Sequence, residues 1–135
     1  MTMRNIICGI FVLLFTGAAQ ASIDPGAPSA SHALGHAAHE LHEYLHDNYT
    51  SSYGSHDLEH EAHELHHILH EWEHGNATEA EVVAQFEVVK TAWKDTRFQL
   101  SMSGIWHGSD TQLNTLVDEV KQAYKRVRFL LRMAD

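Results

Sequence analysis

The chain has 135 residues, a net charge of −9 with histidine neutral, thirteen histidines and a single cysteine. That length supports one domain with one modest core. The acidic balance argues against a nucleic-acid partner, which needs a basic surface to meet phosphate. Cys8 lies in the segment expected to be cleaved, so the mature chain is expected to have no intrachain disulfide and no thiolate metal site.

In chain order, the first segment reads as a cleavable signal peptide over 1–21. Arg4 supplies a positive charge, Ile6 to Phe15 is an apolar run, and Ala19-Gln20-Ala21 offers the small-x-small pattern of a cleavage site before Ser22. The run is about half the roughly 20 residues a transmembrane helix requires. The expected mature domain, 22–135, is therefore exported, periplasmic or secreted, with no transmembrane anchor. It divides by charge into a histidine-rich helical hairpin, 22–76, and a second hairpin, 77–135. Residues 22–76 hold ten acidic residues, twelve histidines and no Lys or Arg, whereas 77–135 holds eight acidic and eight basic residues. Imidazole titrates at about pH 6.5, so mild acid would reverse the sign of the first half.

That half contains a repeat with an offset of 24 residues. Ser31 to His46 and Ser55 to His70 share the pattern S-H-x-L-x-H-x-A-H-E-L-H-x-x-L-H, with eleven of sixteen positions identical. Each copy reads as a helix. Leu34, Ala38, Leu41 and Leu45 in the first copy, and Leu58, Ala62, Leu65, Leu69 and Trp72 in the second, recur at steps of four and three. Ser31 and Ser55 are the expected N-caps. Residues 48–54 form a short polar connector suited to an antiparallel turn.

Gly75 and Asn76 end the second helix, and Thr78-Glu79-Ala80-Glu81 has the form of a capping box for a third. The third helix has an apolar line of Val82, Phe86, Val89, Trp93 and Leu100. A loop follows over 103–108, and Ser109-x-x-Gln112 suggests another capping box. The fourth helix uses Leu113, Val117, Val120, Tyr124, Val127 and Leu131. No segment alternates with period two. The expected fold is all-α, an up-down-up-down four-helix bundle whose first two helices are an internal duplication.

The histidines form a second stripe. His56, His60, His63, His67, His70 and His74 repeat at steps of four and three, about 160° from the leucine line. The first copy matches with His32, His36, His39 and His46, Glu43 taking the fifth place; His42 and His66 lie on the flank. All twelve are candidate metal ligands. Neutral imidazole suits Zn²⁺, Ni²⁺ and Cu(II), and histidines at i and i+4 project from one face to grip one ion. Glu40, Glu43, Glu64, Glu71 and Glu73 can add oxygen ligands or orient a ring through its second nitrogen. Thiols are absent from the expected mature chain and its methionines are only Met102 and Met133, which argues against Cu⁺. In a hairpin centred on the connector, facing residues would sum to about 106, pairing His32 with His74, His36 with His70, His39 with His67 and His46 with His60.

Two helices cannot turn opposite seams toward one another. Leucine inward and histidine outward is the cheaper arrangement, since burying many imidazoles without partners is costly. It predicts shallow, solvent-completed sites that buffer several ions. The H-E-x-x-H matches at His63–His67 and His70–His74 arise almost automatically in a helix built of His and Glu, and no third ligand or cleft accompanies them. The chain is therefore read as non-catalytic. The alternative is an envelope or secreted interaction or structural bundle with histidine as surface residue or pH switch. Lys90, Lys94, Arg97, Lys121, Lys125, Arg128 and Arg132 flank the later apolar lines and read as solubilising groups with salt bridges to the acidic hairpin. A protein partner would meet helices three and four or the 103–108 loop, where Trp106-His107 is the contact point.

Overall fold

The computed structural model describes residues 23–133. The expected signal peptide and its cleavage point before Ser22 lie outside the described residues. Within them are four helices and no strands: α1 (Ala27–Asn48), α2 (Ser55–Glu73), α3 (Glu79–Ser103) and α4 (Thr111–Leu130). None is long and apolar enough to cross a membrane.

Helix starts follow local chemistry, though not always at the expected residue. At α3 the box is formed: Glu81 N donates to Thr78 Oγ1 at 3.2 Å and Thr78 N to Glu81 Oε2 at 3.3 Å. α1 begins four residues before Ser31. Asp24 Oδ1 accepts from Gly26 N at 2.8 Å, and Pro28 occupies the first turn, where its missing N–H costs nothing. Ser31 is thus a buried residue inside α1, and Ser55 is the first residue of α2 rather than its cap. Neither caps, because both hydroxyls lie in the interface between the two helices. α2 is entered instead through Gly54 at φ +79, where a Cβ would stand 3.0 Å from Asp95 Oδ2 and 3.2 Å from Thr96 Oγ1. That close approach and the left-handed backbone require glycine.

The apolar lines read from the sequence form the core. Leu34, Ala38, Leu41 and Leu45 of α1 meet Leu58, Ala62, Leu65 and Leu69 of α2, all fully buried. Val82, Phe86, Val89, Trp93 and Leu100 of α3, and Leu113, Val117, Val120, Tyr124 and Val127 of α4, complete it, with Leu131 just beyond. Trp72 sits half-buried at the edge. Phe86 stacks on Tyr124 with ring centroids 5.4 Å apart. α1 packs on α2 and α4, and α2 on α3. Among the described residues no Cα of α3 comes within 8 Å of one in α4, so this seam is wider than the others.

α4 starts one residue later than Ser109 would dictate. Asp110 is its N-cap, accepting from Leu113 N at 3.0 Å. The same carboxylate accepts from Tyr44 Oη at 2.8 and 2.9 Å and from Tyr49 Oη at 2.6 Å. One half-buried corner thereby ties the end of α1 and the connector to the start of α4. The tyrosine hydroxyls hold the Asp110 carboxyl below the usual range, and the carboxylate in turn pushes Tyr49 up to about 12. Stability from Asp110 is present above the ordinary carboxylate range and is lost as acid protonates it. Stability from the tyrosines is present below about pH 10 and is lost as pH rises towards 12. Asp110→Ala should lower the melting temperature by about 5 °C or more, read by thermal circular dichroism, through loss of a cap and two tyrosine partners.

Candidate metal centre

The helical period that buries leucine turns imidazole outward. Nine of the twelve stripe histidines are exposed, and only His39, His42 and His66 are half-buried. These three sit where α1 and α2 meet, so they organise whatever the stripe can do.

Two sets of contacts, related by the 24-residue offset, link the helices. Ser31 Oγ lies 3.3 Å from His66 Nδ1, with the rings of His32 and His66 5.0 Å apart. Ser55 Oγ lies 3.1 Å from His42 Nδ1, with the rings of His56 and His42 5.2 Å apart. Facing residues therefore sum to about 98, two turns away from the expected 106. The expected pairings of His32 with His74, His36 with His70, His39 with His67 and His46 with His60 are replaced. The reason is the connector, which runs back beside the last turn of α1. His42, His46, Tyr49, Thr50, Ser51, Ser52 and His56 line one depression there, and α2 begins level with His42.

At His66 the surrounding contacts favour one tautomer. Ser31 Oγ donates to Pro28 O at 2.7 Å, and the same carbonyl lies 3.3 Å from His66 Nδ1. A proton on Nδ1 satisfies that carbonyl and leaves Nε2 with its lone pair for a ligand. Desolvation lowers the His66 pKa, favouring the neutral ring.

Glu59 distinguishes the two ends of the hairpin. Its side chain is 17% exposed, and it accepts from His39 Nδ1 at 2.6 Å. At the corresponding place in the other copy stands Gly35, whose added Cβ would lie 3.5 Å from His63 Nδ1. One end thus has a carboxylate where the other has a bare backbone. As a result His42, His56 and Glu59 bring three ligand atoms within 4.8 Å of one another, from both helices. A second group, His70, Glu73 and His74, brings three ligand atoms within the same 4.8 Å at the far end of α2, with the two rings 4.5 Å apart. Zn²⁺ takes imidazole nitrogen and carboxylate oxygen at about 2.0–2.2 Å, so side-chain rotation would have to draw the donors of either group closer to hold an ion.

The remaining stripe residues are not equivalent. His39 is held between two carboxylates, Glu59 on Nδ1 and Glu43 at 3.4 Å from Nε2. The Glu59 hydrogen bond raises its pKa, so His39 holds its proton to higher pH and is a weaker competitor for metal than an ordinary imidazole. His36 Nε2 lies 2.9 Å from Glu40, His46 Nδ1 3.2 Å from Asp47 and His60 Nε2 3.7 Å from Glu61. His63 Nε2 lies 4.0 Å from Glu59. Among the described residues, His32 meets His66 with no carboxylate completing a three-ligand group, and His67 belongs to neither group.

The opposite shifts have opposite linkage. His39 contributes stability that is full below its unfolded pKa near 6.5 and is lost as pH rises through its raised folded value. His66 contributes stability present above 6.5 and lost as pH falls through its lowered one. A histidine-resolved NMR titration should place His39 above and His66 below the ordinary imidazole value. The reverse order would show that the Glu59 contact does not persist in solution.

Sequence spacing identified every residue of both three-ligand groups as a ligand or carboxylate candidate except Glu59. It missed Glu59 as the junction of the hairpin, and the pairing of each repeat's opening serine with a histidine of the other helix. The Ser-His start common to both copies was the available signal. A scan against models of known families, a search of characterised proteins and a search of solved structures each return no match.

Proposed function

We propose that this chain is an exported, non-catalytic helical protein that binds and buffers divalent transition-metal ions, Zn²⁺, Ni²⁺ or Cu(II), through two histidine stripes. The observation that carries the reading is the convergence of His42, His56 and Glu59, donors of the right chemistry drawn from two helices. Around this site and the His70–Glu73–His74 group, the exposed imidazoles offer further two-ligand, water-completed positions. Such a surface exchanges ions readily. Its capacity falls below about pH 6, where protons displace metal from imidazole.

The architecture belonging to this proposal is an up-down-up-down bundle. The contacts of Ser31 with His66 and His42 with Ser55 support an antiparallel α1–α2 pair. Those of Tyr44 with Asp110 and Asp24 N with Leu130 O support an antiparallel α1–α4 pair. We propose further that α1 and α2 arose by internal duplication, which the offset-related serine–histidine contacts support, and that the chain reaches an extracytoplasmic compartment through cleavage after Ala21. A second reading, a pH-responsive interaction bundle, is favoured by one observation, the His39–Glu59 ion pair across the α1–α2 interface.

The test is calorimetric titration of the untagged protein with each metal at pH 7.5. At least one ion per chain should bind at micromolar free metal. Less than one equivalent for all three metals, with folding and pH response intact, would leave the second reading in its place.

A further inference from the structure

The wide seam between α3 and α4 is a cavity of about 270 Å³ lined by Lys90, Trp93, Lys94, Arg97, Lys121, Tyr124, Lys125 and Arg128. Six of its eight lining residues are cations and none is acidic. The lysines among them do not serve the salt bridges to the acidic hairpin that composition suggests. Lys90 reaches only Glu87 of its own helix, at 3.9 Å, and no lysine reaches a carboxylate of α1 or α2 among the described residues.

The lining comes from a second internal repeat, with an offset of 31 residues. Residues 89–102 and 120–133 share V-K-x-A-[WY]-K-x-x-R-F-x-L-x-M, with eight of fourteen positions identical and an aromatic residue at a ninth. Core packing accounts for the valine, the aromatic and the leucine. It does not account for Lys, Lys and Arg recurring at the same three positions on the side of each helix that borders the groove. Trp93 and Tyr124, 6.3 Å apart, form the floor between the two sets. On the antiparallel course proposed above, Arg97 lies towards the 104–110 loop and Arg128 towards the opposite end, with the lysines between them.

Arg97 carries the second, independent observation. Its guanidinium lies over the Trp93 ring, 5.2 Å from the centroid, while its Nε is buried without a hydrogen-bond partner. A buried donor on a permanently charged group is costly to leave unsatisfied, and a stacked guanidinium retains its edge for a bidentate acceptor. Like charges gathered around one gap also repel one another, and an entering anion relieves that repulsion.

We propose that the α3–α4 groove is a binding site for a phosphate-bearing anion with two or more phosphate groups. Arg97 with the neighbouring lysines takes one phosphate, the lysines further along the groove take the next, and the aromatic floor excludes water beneath them. No histidine lines the site, and it does not depend on metal.

The test is calorimetric titration of the whole protein with inorganic tripolyphosphate, beside sedimentation with phosphatidylglycerol and phosphatidylcholine vesicles. Arg97→Gln and, separately, Lys94→Gln/Lys125→Gln should each weaken binding by about 10-fold or more, because each removes charge-assisted hydrogen bonds. Arg126→Gln, an exposed cation of α4 outside the groove, should change it less than about twofold. Binding of tripolyphosphate with this pattern supports a soluble ligand. Binding to phosphatidylglycerol vesicles alone, with the same pattern, supports a lipid surface, on which two neighbouring headgroups supply the two phosphates. Binding to neither, or equal weakening by Arg126→Gln, overturns the proposal. The double lysine variant alters only exposed tips, so the result does not rest on Arg97→Gln folding normally.

Discussion

His42→Gln and Glu59→Gln should each weaken the first equivalent of zinc by about 10- to 100-fold at pH 7.5, measured by competition with a chromophoric chelator. Both residues belong to the candidate group drawn from both helices, so each loss would reduce the proposed three-ligand site to a two-ligand one. Glu59→Gln has an additional signature. It removes the carboxylate that raises the His39 pKa, so the His39 titration should fall towards the ordinary value in the same variant. His36→Gln is the internal control, since its ring is exposed and engaged with Glu40 of its own helix. The converse substitution tests the asymmetry of the hairpin. Gly35→Glu places a carboxylate beside His32 and His66 as Glu59 stands beside His56 and His42. A Cβ at position 35 would meet the His63 ring only at ordinary contact distance. The substitution should add a zinc equivalent of affinity similar to the first, and helix propensity favours it over glycine by roughly 0.5–1 kcal/mol.

Phe86→Ala should destabilise the fold by about 3–5 kcal/mol, among the largest effects expected of a single core truncation here. Its side chain is fully buried and stacks on Tyr124 at the one seam where backbones stay apart. Elsewhere, close helix contact lets neighbours relax into a void. Between α3 and α4 the aromatic rings themselves span the gap, so little can collapse to replace one. A fall in melting temperature of more than about 10 °C is expected by calorimetry. A change within error would mean that the seam is already hydrated.

The helices and the core were legible because both are consequences of the 3.6-residue period. Leu58, Ala62, Leu65 and Leu69 declare a buried face wherever the helix is placed, and the histidine stripe follows as its complement. Helix caps were legible where a motif acts within one turn, as at Thr78 and Glu81. They were misread at Ser31 and Ser55, where the hydroxyl found a partner on the neighbouring helix instead. Register was not legible. It depends on the path of six connector residues, and their course beside α1 is set by Tyr49 reaching Asp110, 61 positions away. The same separation concealed Asp110, whose role as cap and double acceptor needs three chain segments to meet. The candidate site divided likewise. Ligand type was written in the stripe, but which ligands converge was decided by register and by one difference between copies, Glu59 against Gly35.

X-ray absorption at the zinc edge, on protein loaded with one equivalent at pH 7.5, tests the central claim most directly. Two imidazole nitrogens with the remaining shell oxygen, at about 2.0–2.2 Å, is the predicted result. An oxygen-only shell would contradict it, since the ion would then be held by the acidic surface and not by histidine.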